Sequence, residues 1–237
     1  MPNLQRQMRV LRMSLWFGRR AWRATLRPVV GDDVDGVLAE LHDEVERQLA
    51  HLEHPGHVAL SMFSLGSAPY IALFVVLRRR QLSADVVGPL AVQHVQKLLR
   101  PLPRWLLRLA GRVVFSSWFT SFYGRHAADS QQNAWGGWQW KVDDVDDHRR
   151  QWSMRYTSCP LQARLHDEGL GDMAPYLCQL DGVLGDAMGW GLQRTQTLAL
   201  GANSCDFRFR RGAETSIEPL VPLAPSTSTS SSSSERS

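Results

Sequence analysis

One short stretch near the end of the chain combines a tight turn with a strand that carries reactive side chains. Residues 204–209 alternate, so Cys205 shares one strand face with two phenylalanines, whereas Asp206 points to the other face. Residues 201–204 are of types that tolerate a left-handed backbone, as a short hairpin requires. Residues 194–209 therefore predict strand, loop and strand, with Cys205 either a reactive thiol or a small apolar filler.

The residues before this hairpin predict a helix from about Asp172, which can cap it, to Gly189. Apolar side chains recur along it at helical spacing and form one stripe. Asp181 lies beside that stripe with Cys178 next to it, whereas Asp186 projects into water. Because burying a bare carboxylate is very unfavourable, Cys178 and Asp181 are interpreted as a placed pair. A structural role for Asp181, as a buried tie between the helix and a loop, is the alternative.

The chemistry-bearing residues of this region form an ordered set. In chain order they are Cys159-Pro160, Cys178-x-x-Asp181, Arg194-Thr195-x-Thr197-Leu-Ala-x-Gly201 and Cys205-Asp206-Phe207. This set resembles the L-2-amino-thiazoline-4-carboxylic acid hydrolase family, most sharply over residues 152–211 and more loosely back to about residue 33. The Gly-x-x-x-Cys-x-Phe ending also resembles the 4-vinyl reductase ligand-binding domain. Both resemblances imply an α+β fold, with a helical N-terminal half followed by a small antiparallel sheet crossed by the Cys178 helix.

The family resemblance implies a hydrolase that opens a cyclic amidine-like C–N bond, with L-2-amino-thiazoline-4-carboxylic acid and carbamoyl-cysteine as prototype substrate and product. The expected catalytic residues are Cys205, Asp181 and Cys178. Either a thiolate or water attacks the amidine carbon, and Asp181 or His166 moves protons. The competing interpretation is a non-catalytic domain that binds a small ligand or a metal.

Four further residues are expected to bind the substrate. Arg194 has the planar fork that grips a carboxylate with two hydrogen bonds. Thr195, Thr197 and Asp206 complete the set. Each has a structural alternative, because threonines favour strands and Arg194 can pair with Asp206 across the hairpin.

A zinc ion is the alternative to a site without a cofactor. Cys159, Cys178 and Cys205, together with Asp181 or His166, are of the types that bind zinc. However, no close Cys-x-x-Cys pair occurs, since the cysteines are widely spaced. We therefore expect no metal, with the three cysteines as its ligands if one is bound.

Composition indicates one ordinary globular domain, placed at residues 32–211. The chain has 237 residues, of which 43% are hydrophobic and 21% charged. Three cysteines argue against a disulfide-built secreted protein, so a cytoplasmic location is expected. Residues 212–237 become rich in Ser and Thr and lack apolar periodicity, which predicts a disordered tail.

The first 31 residues carry seven arginines and no acidic residue. Their apolar residues are spaced as in a basic amphipathic helix, which suggests peripheral membrane contact or organelle targeting. A helix that packs on the domain and solvates its arginines is favoured over both. The expected partner is a small-molecule substrate and not nucleic acid, and the oligomeric state stays open.

Helical periodicity runs through the first half of the domain. It predicts helices over 32–54, over 83–100 and over 104–122, then a polar loop at 123–132. Within the uncharged stretch 58–77 it predicts a buried helix that starts near Pro69. The serines, Gly66 and Pro69 of the uncharged stretch argue against a membrane span. Glu44 is assigned to a solvent-facing side of the first helix.

Two further patterns concern the surface and the sheet. Arg104, Arg108 and Arg112 recur every fourth residue near Trp105 and Trp118 and are assigned to the solvent side of a core helix, in preference to a lipid or nucleic-acid surface. Alternation around residues 138–142 and 152–156 predicts two strands joined by an acidic turn.

Overall fold

The computed structural model of the chain describes residues 18–51, 58–132, 136–146, 148 and 150–218. Most of the predicted N-terminal amphipathic helix and the Ser/Thr-rich tail from Pro225 therefore lie outside the described residues. Helical residues 18–30 place Trp22 and Leu26 in the core, and Ile217 is buried beyond residue 211. The domain limits of 32 and 211 thus stay predictions, and buried residues lie before residue 32 and after residue 211.

Helices make up the N-terminal half, as predicted. They are α1 (18–30), α2 (Val34–His51), α3 (Val58–Arg79), α4 (Ala84–Leu99), α5 (Arg104–Gly111) and α6 (Ser117–Ser130), and the second half adds α7 (Pro160–Asp167) and α8 (Ala174–Met188). Short 3-10 turns lie at Gly31–Asp33, Arg112–Phe115, Gly171–Met173 and Leu198–Leu200.

A five-stranded sheet follows the helical half, which confirms the α+β prediction. Its strands are β1 (Gln139–Asp146), β2 (Gln151–Ser158), β3 (Leu192–Arg194), β4 (Cys205–Arg210) and β5 (Ser216–Ile217), in the order β1-β2-β4-β3-β5. The β1–β2, β2–β4 and β3–β4 pairs are antiparallel, and β5 runs parallel to β3. The sheet is therefore mixed, with one parallel pair where an antiparallel sheet was predicted.

The core joins the helices to one face of the sheet. Residues 70–77 of α3 are all buried, and the predicted inward side of α2 is buried too. Helix α8 packs on α4 and α5 and also contacts β3 and β5, so it lies between the helical half and the sheet. None of the helices in the described part of the chain, α3 included, combines the length and hydropathy needed to cross a membrane.

The structure corrects the boundaries of two predicted helices. Helix α3 begins at Val58, well before Pro69, because Leu60 and Ser64 already pack into the core. The stretch 104–122 is not one helix, since a 3-10 turn and the Ser116 cap, which accepts the Phe119 N–H, separate α5 from α6.

The segment 123–132, predicted as a loop, is mostly helix α6. Tyr123 is fully buried, and its carbonyl accepts the Trp140 indole N–H at 3.0 Å. The Ser130 hydroxyl accepts a hydrogen bond from the Trp140 backbone N–H and donates one to the Trp140 carbonyl. These two bonds attach the end of the helix to β1. Tertiary packing therefore overrides the polar composition of this segment.

Two capping and exposure predictions are also wrong. Asp172 lies in the 3-10 turn before α8 and pairs with Arg78, so it does not cap the helix. Glu44 is buried, with 3% of its side chain exposed, because Arg47 and Arg79 surround its carboxylate. In contrast, Asp186 is exposed, as predicted.

Glycines set the closest helix contacts around α8. A Cβ on Gly88 of α4 would lie 2.1 Å from the Tyr176 ring, and one on Gly111 of α5 would lie 2.2 Å from the Met188 carbonyl oxygen. Real atoms do not approach so closely. Both contacts hold α8 against the helical half.

We expect Gly88→Ala to destabilise the fold, because the new methyl group meets the buried Tyr176 ring. The free energy of unfolding should fall by about 1–3 kcal/mol, the usual cost of overpacking. Urea denaturation measures it. Gly124→Ala in α6 is the matched control, because nothing lies within 4 Å of its Cβ position. This control should stabilise by up to about 1 kcal/mol through helix propensity; equal effects of both substitutions would contradict the packing argument.

Candidate active site

Helix α8 presents Cys178 and Asp181 towards the sheet, three residues apart and so on one side of the helix. Cys178 is half-buried, and 34% of the Asp181 side chain is exposed. The helix ends at Gly189, which adopts a left-handed backbone with φ of 67°. This turn lets the chain return along β3, beside the helix it has just left.

Arg194, the last residue of β3, joins the sheet to this helix. Its side chain is 1% exposed, and its Nη1 donates to Asp181 Oδ2 at 2.9 Å and to the Cys178 carbonyl at 2.9 Å. Its guanidinium carbon lies 5.9 Å from the centre of the Phe207 ring. The alternative pairing of Arg194 with Asp206 across the hairpin is therefore not what the structure contains.

Thr197 brings two of the three sulfur atoms together. Its Oγ1 lies 3.6 Å from Cys178 Sγ, to which it donates, and 3.3 Å from Cys205 Sγ. The Cys205 sulfur also accepts the Leu198 backbone N–H at 3.2 Å. Two cysteines separated by 27 positions in the sequence thus meet at one hydroxyl group.

Cys159 ends β2 at the start of α7 and belongs to the same neighbourhood. Burial raises the pKa of its thiol to about 12, and negative charge on Cys205 and on Asp181 raises it further. The strand register also brings the third sulfur to this region, because Tyr156 lies opposite Cys205 and Cys159 follows three residues later. His166, in contrast, is exposed on α7, with its ring against Gly171.

Burial is the main influence on the ionisation of the cluster formed by Cys159, Cys178, Cys205 and Asp181. It raises the pKa of the Cys178 thiol, and the Asp181 charge adds to that shift. Burial also raises the pKa of Cys205, but the hydrogen bonds from Thr197 and Leu198 and the charge of Arg194 oppose it. Among these thiols, Cys205 alone has hydrogen bonds from both a hydroxyl and a backbone amide that favour its thiolate.

Asp181 titrates near neutrality. Burial raises the pKa of this carboxyl to about 6, although the charge and hydrogen bond of Arg194 lower it. About a third of its side chain is nevertheless exposed, so the carboxyl group is not fully enclosed. A carboxyl group with such a pKa can both accept and donate a proton at physiological pH.

Asp206 fixes the loop that carries Thr197. One carboxylate oxygen accepts the backbone N–H groups of Thr195 and Gln196, each at 2.8 Å, and the other accepts the Thr195 hydroxyl at 2.8 Å. Both oxygens are thus engaged within the protein. The predicted roles of Thr195 and Asp206 in substrate binding stay predictions, beside this structural role.

Two tyrosines of the cluster were not among the predicted site residues. Tyr156 pairs with Cys205 across β2 and β4, and its hydroxyl lies 3.1 Å from that of Tyr123. Burial raises the pKa of Tyr156 well above its ordinary value, and charge on Cys159 and Asp181 adds to it. The alternation of β2 indicated that Tyr156 faces inward, but the strand register that places it opposite Cys205 is not readable from the sequence.

The described residues contain no group of three or more His, Cys, Asp or Glu side chains arranged to hold a metal ion. The three sulfurs and Asp181 share a neighbourhood without forming such a set. The zinc alternative, with Cys159, Cys178 and Cys205 as ligands, gains no support from this part of the chain.

The fold and the site together define an α+β protein that encloses thiols, a carboxyl group and a guanidinium between one helix and a mixed sheet. Residues 112–209 match the family model of L-2-amino-thiazoline-4-carboxylic acid hydrolase. This stretch contains every residue of the cluster and confirms the resemblance that the ordered cysteines, Asp181 and Arg194 predict. No curated protein and no solved structure matches the chain significantly. The likeness to the 4-vinyl reductase domain stays a prediction.

We expect Arg194→Gln to extend the pH range over which Asp181 affects stability. The pKa of Asp181 is raised in the folded protein, so its stabilising contribution is complete below about pH 4, the unfolded pKa. That contribution is lost as the pH rises through about 6. Without Arg194 the folded pKa rises further, and the loss continues to higher pH. Urea titrations across this range measure it, and in Asp181→Asn this component should vanish.

We expect Thr197→Val to raise the pKa of the Cys205 thiol, because the variant loses a hydrogen bond that lowers it. The pH dependence of Cys205 alkylation, followed by peptide mass spectrometry, should shift to higher pH. Thr195→Val is the control, since its hydroxyl bonds Asp206 and not a sulfur. Equal shifts in both variants would contradict a specific role of the Thr197 hydroxyl.

Proposed function

We propose that the protein is a hydrolase of small cyclic amidines, with L-2-amino-thiazoline-4-carboxylic acid as the prototype substrate. The observation that carries the proposal is the convergence of Cys205, Thr197, Asp181 and Arg194. The Cys205 sulfur accepts the Leu198 N–H and shares a hydrogen bond with the Thr197 hydroxyl, in the same cluster as a carboxyl group whose pKa is about 6. The family match over residues 112–209 supports the same class of reaction.

In this proposal Cys205 is the nucleophile. Its Sγ forms a bond to the amidine carbon while its proton passes to Asp181. The electron pair of the carbon–nitrogen double bond moves to nitrogen, which takes up a proton from solvent. The tetrahedral adduct then collapses as one ring bond to that carbon breaks, and Asp181 returns its proton to the departing ring atom. The Leu198 N–H and the Thr197 hydroxyl stabilise the thiolate that attacks. Water finally releases the carbamoyl group from Sγ, again with Asp181 as the base.

Thr197 can serve both states of Cys205. Its hydroxyl accepts the Ala199 N–H at 3.3 Å, so its own proton is directed towards the sulfurs. When Cys205 is a thiol, it can donate to Thr197 while Thr197 donates to Cys178. When Cys205 is a thiolate, rotation of the hydroxyl brings its proton to Cys205. Cys178 thus accepts the hydroxyl proton that Cys205 does not use.

We assign Arg194 to Asp181 and not to the carboxylate of the substrate. The arginine is buried and already bound to Asp181 and to the Cys178 carbonyl. Its charge lowers the pKa of Asp181 against the effect of burial, which keeps part of that carboxyl ionised at neutral pH. Arg194 is therefore a positioning residue in this proposal.

The ring bond that breaks depends on the leaving group. The sequence-based expectation is the ring C–N bond, whose cleavage gives a product with its carbamoyl group on sulfur. Release of the ring sulfur gives the carbamoyl group on nitrogen and a free thiol. A thiol with a pKa of about 8.5 leaves more readily than an amine, which favours the sulfur. Titration of free thiol in the product decides between them.

Purified full-length protein should consume the thiazoline acid with first-order dependence on enzyme. Cys205→Ser should abolish turnover, and Asp181→Asn should lower kcat by about 100-fold or more, as expected for loss of a general base. In the wild type, kcat should rise as Asp181 ionises near pH 6, and this limb should disappear in Asp181→Asn.

Cys159→Ser is the matched control, because it replaces a neighbouring buried thiol that has no step in this scheme. It should retain most of the activity, and circular dichroism should show all three variants folded. Full activity in Cys205→Ser would exclude Cys205 as the nucleophile and would favour direct attack of water on the amidine carbon. Full activity in both Cys205→Ser and Asp181→Asn would remove this site from the reaction.

A non-catalytic domain for a small ligand is the second candidate. Burial raises the pKa of all three thiols, so that most of each is protonated at neutral pH. Neutral thiols beside a partly ionised Asp181 suit the binding of a small cation without reaction. Calorimetric binding of the thiazoline acid without turnover, lost in Asp181→Asn, would favour this candidate over the hydrolase.

A further inference from the structure

One face of the segment from Leu102 to Trp118 is apolar and open to solvent. Its exposed large side chains are Leu102 (42%), Trp105 (69%), Leu106 (42%), Leu109 (50%), Val113 (50%) and Trp118 (56%). Leu102, Leu106, Leu109 and Val113 recur at steps of three or four residues, with Trp105 beside them, so they follow one side of α5 and the turn after it. Leu107, Gly111 and Val114 are buried on the opposite side. We name this surface the α5 face.

The surroundings of the α5 face are basic. Residues 86–128 contain no aspartate or glutamate, and they carry Lys97, Arg100, Arg104, Arg108, Arg112 and Arg125. Arg104, Arg108 and Arg112 lie one helical turn apart along one flank of the apolar side chains. Positive charge therefore borders the exposed tryptophan and leucines.

A groove beside the α5 face is lined by both arginines and carboxylates. Arg100, Arg104 and Arg108 line this groove of about 920 Å³, and Asp186, Glu214 and Glu218 line it as well. Among the described residues no ion pair within 4.0 Å joins these arginines to an acidic residue. Their charges thus remain open to a partner that meets the α5 face.

From this arrangement we propose that the α5 face docks on an anionic phospholipid surface. A short helix with Trp and Leu on one side and arginines along the flank lies in the plane of a membrane interface, with the apolar side among the lipid chains. The long arginine side chains reach from there to the phosphate groups. A nucleic acid fits less well, because the centre of the face is apolar and not basic.

Charge also argues against a second copy of the chain, and against its own N-terminal residues, as the partner that covers the α5 face. A second copy that met the α5 face through a two-fold axis would bring the same arginines together. The first 17 residues carry arginines and no acidic residue, so they do not complement the face either. An anionic surface avoids this repulsion between like charges.

Sedimentation with sucrose-loaded vesicles tests the proposal on the full-length chain. Binding should be strong to phosphatidylcholine vesicles that contain about a third phosphatidylglycerol, weak to pure phosphatidylcholine, and reduced by added salt. Trp105→Ser combined with Leu109→Ser should lower the apparent vesicle affinity by about tenfold or more. Phe63→Ser is the control, since Phe63 is an exposed apolar residue of α3.

A second pair of variants tests the charges. Arg104→Glu with Arg112→Glu should weaken binding, whereas Lys141→Glu with Arg210→Glu should not, although both pairs change the net charge equally. Lys141 and Arg210 are exposed on the sheet. Unchanged thermal denaturation shows that each variant is folded.

Three outcomes would overturn the proposal. The wild type could fail to bind anionic vesicles. It could bind them equally well with the α5 face altered, which would assign binding to the N-terminal residues. Finally, sedimentation velocity could show that the Trp105 and Leu109 substitutions dissociate an oligomer and leave vesicle binding unchanged, which would assign the face to a second copy.

Discussion

The buried ion pair between Arg194 and Asp181 is the interaction on which the site depends. A guanidinium that is 1% exposed has lost its water, so it needs a negative partner and further acceptors. Asp181 and the Cys178 carbonyl supply them from α8, and the pair thereby fixes the helix at one register against β3. The same contact that holds the sheet to the helix also lowers the pKa of the Asp181 carboxyl group against the larger effect of burial, which raises it.

The surrounding fold brings the remaining groups to this pair. Asp206 organises residues 195–197 through three hydrogen bonds, and that loop carries Thr197 to the sulfurs. Gln162 of α7 donates to the Leu198 carbonyl at 2.9 Å, which supports the amide that reaches Cys205. The cluster therefore draws on β2, α8, the 195–204 loop and β4, and no single segment contains it.

Local patterns predicted much of this architecture. Helical spacing identified α2, α4 and α8, and alternation identified β1, β2 and β4, because each pattern reflects the face that the element buries. The ordered cysteines with Asp181 and Arg194 indicated the resemblance that the family model supports, and they indicated a candidate site. Local patterns do not show which residues from distant parts of the sequence come into contact. The burial of Glu44 depends on Arg79 from another helix, and the contact of Tyr156 with Cys205 depends on strand register.

The contact between Gly111 and Met188 has a mechanical consequence. The absence of a side chain at residue 111 lets the end of α5 touch the backbone at the end of α8, where a Cβ would lie 2.2 Å from the carbonyl oxygen. Two backbones that meet this closely have no soft side chains between them to absorb a displacement. A displacement of α5 is therefore transmitted to α8, the helix that carries Asp181, so the solvent-exposed helix is mechanically coupled to the candidate site.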